Sequence, residues 1–171
     1  QHAGIETHDL ESFERQSKGR NVIIYALDAS GSMKGKKLEQ CKKAGIALAY
    51  KAIDENDSVG LVVFGKKVRT EVMPTKDFHL LMMEIARIRP LEQTDIASTI
   101  RKAAEMFAGE TEEAKKHLTL ITDILPTAGL EPERSTLEAT SEIASDGVTV
   151  SVIGVSPDEG GKKLAEKIVE L

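Results

Sequence analysis

The sequence contains one cysteine, Cys41, so it has no disulfide framework, and most thiolate metal sites are excluded. Tryptophan is absent and aromatic residues make up only 4% of the chain. No apolar run approaches the roughly 20 residues that a membrane-spanning helix requires. Positive charge is not in excess either. The 28 acidic side chains outnumber 23 basic ones, giving a formal net charge of −5 and a pI near 5.5. That balance argues against a nucleic-acid binder, which needs a basic face to release counterions from phosphates. A local basic patch stays open. The chain begins at Gln1, without an initiator Met or a signal-like apolar stretch, as an excised or processed piece would. With the single cysteine, this favours a reducing, cytoplasmic setting, an extracellular fragment being the alternative.

What is present has the make-up of one soluble domain: 171 residues, 40% hydrophobic and 30% charged. A chain of that length buries roughly 70% of its unfolded surface, enough for a core without metal or disulfide staples. Residues 1–20 are polar and weakly patterned and read as an N-terminal extension, with an extended segment around Leu10–Arg15. From residue 21 to 171, strand-like runs alternate with helical ones. Asn21–Leu27, Ser58–Gly65, Lys67–Met73, His117–Asp123 and Gly147–Val155 are rich in Val, Ile and Thr. Three are almost continuously apolar, as parallel strands covered on both faces are. Lys67–Met73 alternates instead and reads as a hairpin partner at an edge.

Between the strands, Leu38, Cys41, Gly45, Leu48, Ala49 and Ala52 fall on one helical stripe. Phe78, Leu81, Met82, Ile85 and Ile88 form a second, and Ile96, Ile100, Ala103, Ala104 and Phe107 a third. Shorter helices are expected near Glu133–Ser145 and Asp158–Leu171. All five prolines are placed at junctions by this division. The fold class is therefore α/β, a mostly parallel open sheet with helices on both faces.

In such a sheet, sites form where strands end at their C-terminal edge. The loop after Leu27 reads Asp28-Ala29-Ser30-Gly31-Ser32, with three oxygen-bearing side chains at alternate positions. Gly31 permits the tight turn that would make them converge. Thr122-Asp123 ends another strand at the same edge. Thr94-Asp95 precedes the helix of Ile96, where either residue would serve as an N-cap. Together Asp28, Ser30, Ser32, Thr94 and Asp123 offer two carboxylates and three hydroxyls. Such hard oxygen ligands favour Mg²⁺, Mn²⁺ or Ca²⁺.

Competing motifs fail on spacing. Gly31 to Lys37 lacks the four residues between glycines, and the Ser or Thr after Lys, of a phosphate loop. No G-x-G-x-x-G follows a strand, and Ser30 lacks the flanking glycines of a nucleophile elbow. His117 begins the strand that Asp123 ends, roughly 20 Å away at about 3.3 Å per residue. His2 and His8 lie in the extension and His79 on a helix, so no general base stands near the cluster.

Asp28-x-Ser30-x-Ser32, Thr94 and Asp123 in this strand context resemble the metal-ion-dependent adhesion site of von Willebrand factor A domains. The resemblance covers about Asn21 to Leu171. It implies a doubly wound sheet of order 3-2-1-4-5, with Lys67–Met73 antiparallel at one edge. It also implies Ser30, Ser32 and Thr94 as direct ligands of Mg²⁺, Asp28 and Asp123 acting through water, and a partner protein whose Asp or Glu completes the coordination. On this reading the chain is a binding module and not an enzyme, a monomer when isolated. Its rim consists of Met33, Lys34, Gln93 and Leu125, and its partner is an AAA+ ATPase of a chelatase-type assembly or an adhesion ligand. Many members have Gly after the last Asp, where this chain has Ile124-Leu125-Pro126. The family's last strand and helix, beyond Lys162–Glu170, are missing, so Gly147–Val155 is expected at the other edge unless residues 1–20 cover it. A metal-dependent hydrolase or phosphotransferase, and a metal-independent structural domain, are the alternatives.

Plainer roles accompany these. Cys41 and Met82 read as core residues, Asp95 as a first-turn helix acid, and Lys34-Gly35-Lys36-Lys37 as a solvated helix start or a steering patch for an acidic partner.

Overall fold

The computed structural model describes residues 21–65, 68–123, 131–157 and 159–171. Strand β1 (Asn21–Asp28) runs parallel to β2 (Ser58–Phe64) on one side and to β4 (Lys115–Thr122) on the other. Beyond β2 lies β3 (Val68–Thr75), antiparallel, and beyond β4 lies β5 (Val148–Gly154), parallel. The order is β3-β2-β1-β4-β5, as the family resemblance implied. Among the described residues β5 is an edge.

The central position of β1 follows from its composition. Ile24, Ala26 and Leu27 are each 0% exposed, and burial on both faces suits only a strand without polar alternation. Val22, Ile24 and Ala26 face helix α3 (Ile96–Phe107) through Ile96, Ile100 and Phe107, and helix α4 (Pro132–Ser145) through Ala139 and Ile143. Tyr25 and Leu27 face helix α1 (Lys36–Asp54), by way of Leu38, Cys41, Ala49 and Ala52, and helix α2 (Phe78–Ala86), by way of Leu81 and Ile85. Helix α5 (Glu159–Val169) adds Leu164 and Ile168 against Val150 and Val152 of β5. Two apolar layers thus fix the sheet, leaving the loops after β1 and β4 open to chemistry.

The strand of alternating pattern runs to Thr75, so Pro74 lies inside β3 and not at a junction. The β2–β3 register shifts between Val59 and Leu61, opposite Met73 and Pro74. An edge strand with a bulge tolerates a residue that cannot donate to the ladder. Pro132 occupies the first turn of α4, where no N–H is missed. Lys67, residues 1–20 and Pro126 lie outside the described residues. No helix among the described residues is long and apolar enough to cross a membrane.

Candidate metal centre

Asp28 is the last residue of β1, and its side chain is fully enclosed. Its Oδ1 accepts the backbone N–H of Ser30 at 2.8 Å, and its Oδ2 accepts the Thr122 hydroxyl at 2.6 Å. Burial pushes the Asp28 pKa up, the two neighbours pull it back down, and the nearby charge of Asp123 adds to the rise. Hydrogen bonds hold the carboxylate in one orientation.

After Asp28 the chain passes into a 3₁₀ turn, Gly31–Met33. The Met33 N–H closes it on the Ser30 carbonyl at 2.9 Å, and Lys34 N–H on Gly31 at 3.2 Å. Met33, expected on the rim, is instead 0% exposed and packed with Leu38 and Cys41. The turn drives its side chain inward, where an apolar thioether gains by leaving water. Ser30 is 1% exposed and Ser32 is exposed. Their hydroxyls are hydrogen-bonded to each other, the oxygens 3.0 Å apart.

The segment that carries Thr94 is laced to these loops by backbone. Leu91 N–H donates to Ala29 O, Gly31 N–H to Glu92 O at 3.3 Å, and Asp95 N–H to Gly65 O at 2.8 Å. Gly65 is needed for this approach, because a methyl group there would stand 2.5 Å from Leu91 Cβ. Thr94 is enclosed at 1% exposure between the last two anchors. Asp95, not Thr94, caps α3: its carboxylate accepts Ser98 N–H at 2.9 Å and the Ser98 hydroxyl at 2.7 Å.

Asp123 follows β4 and is 0% exposed. Lys37, in the first turn of α1, reaches its Oδ2 at 3.4 Å, while Oδ1 is buried and has no hydrogen-bond partner among the described residues. Native interiors rarely leave such an atom unmatched. Lys34 and Gln93 are exposed, and Leu125 lies outside the described residues. Sequence reasoning missed two members of the site. Thr122 was visible as the neighbour of Asp123, and Lys37 was visible only within a basic run.

This oxygen set fits a hard divalent cation. Octahedral Mg²⁺ with oxygens at about 2.1 Å places adjacent ligands about 3 Å apart, the spacing of the Ser30 and Ser32 hydroxyls. The orphaned Asp123 Oδ1 supplies further negative charge at the same edge. Among the described residues no cluster of three His, Cys, Asp or Glu forms a metal site, so a cation here would depend on hydroxyls. His117 lies toward the other end of β4, its Nε2 2.7 Å from the Ser151 hydroxyl, and burial lowers its pKa.

Among known proteins, the chain is 25% identical over 150 residues to an uncharacterised protein of Mycobacterium tuberculosis, covering 85% of this chain and 24% of that protein. It is 26% identical over 132 residues to the magnesium-chelatase 67 kDa subunit of Heliobacterium mobile, covering 75% and 20% respectively. The chain therefore spans about a quarter or less of the length of either relative. The crystal structure of BatB from Bacteroides thetaiotaomicron superposes with a TM-score of 0.70 at 25% identity, covering 88% of this chain and 85% of that one. Residues 23–126, more than half of the chain, match the family model for the von Willebrand factor type A domain, and the chain belongs to that family.

Proposed function

We propose that this domain is a Mg²⁺-dependent protein-binding module in which the cation holds an acidic residue of a partner. Ser30, Ser32 and Thr94 would hold the ion directly, with Asp28 and Asp123 behind water molecules; Mn²⁺ or Ca²⁺ would suit the same oxygens. The observation that carries this reading is the hydrogen-bonded pair of hydroxyls 3.0 Å apart at the sheet edge where Asp123 has a buried oxygen with no hydrogen-bond partner among the described residues.

When bound, a cation ligated by neutral hydroxyls retains most of its charge and favours a carboxylate over a neutral amide as its outer ligand. The protein's own groups do the positioning. Thr122 and the Ser30 N–H orient Asp28, the backbone bonds Leu91–Ala29 and Gly31–Glu92 tie the Thr94 segment to the first loop, and Asp95–Gly65 ties it to the end of β2. Exposed Lys34 and Gln93 would supply rim contacts around the partner's acid. We read the domain as non-enzymatic, since among the described residues no histidine stands at the cluster to serve as a general base, His117 lying toward the other end of β4. Its likeness to a subunit of magnesium chelatase supports a multi-subunit, chelatase-type assembly with an AAA+ ATPase as the setting.

The test is a pull-down in Mg²⁺ against EDTA, followed by Asp→Asn and Glu→Gln scanning of the captured partner. One partner carboxylate should account for binding as fully as EDTA does, and the two losses should not add. Binding that survives both treatments refutes the proposal.

A further inference from the structure

Lys37 brings a positive charge to a cluster that the metal reading reserves for a cation. Its Nζ lies 3.4 Å from Asp123 Oδ2, the carboxylate being fully buried and the lysine side chain 32% exposed. Asp28 closes β1 and Asp123 directly follows the adjacent parallel strand β4, so two fully buried carboxyl groups share one edge of the sheet. Lys37 is the cation that the structure sets beside Asp123 at this edge.

The contact has the character of a placeholder. At 3.4 Å it lies beyond the usual N–H···O range, and a single ammonium on a four-carbon stem lacks the fixed fork of an arginine. It satisfies one oxygen of Asp123, and Oδ1 has no hydrogen-bond partner among the described residues. Part of the stem stays in solvent, so the ammonium can swing outward without unfolding α1. A divalent ion beside Asp123 would meet Nζ as a like charge and weaken its hold on the carboxylate.

We infer that Lys37 is a tethered cation that balances the Asp28–Asp123 cluster in the metal-free protein, is displaced on loading, and so sets the metal affinity. This rests on the metal-binding reading above. Lys37 competes with the ion for the same negative charge and gives the metal-free domain a stable resting form.

Calorimetric titration of Mn²⁺ into wild type, Lys37→Met, Lys37→Gln and Lys37→Arg, with melting of each in EDTA and at saturating Mn²⁺, tests this. The two neutral variants should bind Mn²⁺ about two- to fivefold more tightly, the scale of one partly exposed ion pair. They should melt below wild type in EDTA, and the gap should close with Mn²⁺. Lys37→Arg, which keeps the charge and adds the fork, should bind Mn²⁺ no more tightly than wild type, and the affinity gain of the neutral variants should shrink as salt rises from about 0.01 M to about 1 M. Unchanged or weaker Mn²⁺ binding in the neutral variants overturns the role of Lys37 and leaves the metal site standing. If no folded form binds Mn²⁺, the metal reading itself fails, and this inference with it.

Discussion

The Thr122 hydroxyl donates to Asp28 Oδ2 at 2.6 Å, joining the ends of two adjacent parallel strands through buried side chains. The bond places a charged acceptor and its donor out of water, where an unmatched carboxylate oxygen is expensive. Thr122→Val keeps the shape and removes the donor. It should lower the unfolding free energy by about 2 kcal/mol and the melting temperature by roughly 5 °C. Thr122→Ser should recover most of that loss. Equal melting of wild type and Thr122→Val would show that the bond contributes nothing.

Asp95 stands next to Thr94, yet both of its carboxylate oxygens accept from Ser98. It is a cap. Asp95→Ser, which can also cap, should leave stability within about 0.5 kcal/mol of wild type, while Asp95→Ala should cost about 1 kcal/mol. Mn²⁺ affinity should stay within about twofold in the serine variant, less than half a kcal/mol. A tenfold loss by calorimetry would instead make Asp95 a ligand.

His117 supplies the pH prediction. Burial lowers its pKa from the ordinary 6.5, so the folded state binds a proton less readily than the unfolded chain. The stability that neutral His117 allows is fully present above about pH 6.5 and is lost as pH falls toward the depressed value. Urea midpoints of wild type should fall between pH 7.5 and 5.5, and His117→Gln should flatten that part of the profile. Parallel profiles for the two proteins would contradict the assignment.

Much of this molecule was legible in its residues. The nearly unbroken apolar runs marked parallel strands covered on both faces, the alternation in Lys67–Met73 put its strand at an edge, and the strand order came from the family resemblance. Asp28 and Asp123 were readable because both directly follow apolar strand runs. Met33 was not, since its position after Ser32 suggested a loop, and only the 3₁₀ turn directs it into the core. Lys37 was out of reach for another reason. Its contact with Asp123 joins residues 86 positions apart and depends on how α1 crosses the sheet, which no local pattern encodes. Pro74 misled in the opposite direction, because a junction and an edge bulge both accept proline.

The central claim is that the hydroxyls of Ser30, Ser32 and Thr94 hold one divalent ion. Calorimetric titration of Mn²⁺ into wild type, Ser30→Ala and Thr94→Ala tests it directly. One ion per wild-type chain is expected, and at least tenfold weaker binding, about 1.4 kcal/mol or more, in either variant, with unchanged circular dichroism spectra. A folded wild-type chain that takes up no Mn²⁺ at millimolar metal, or alanine variants that bind as wild type does, would contradict it.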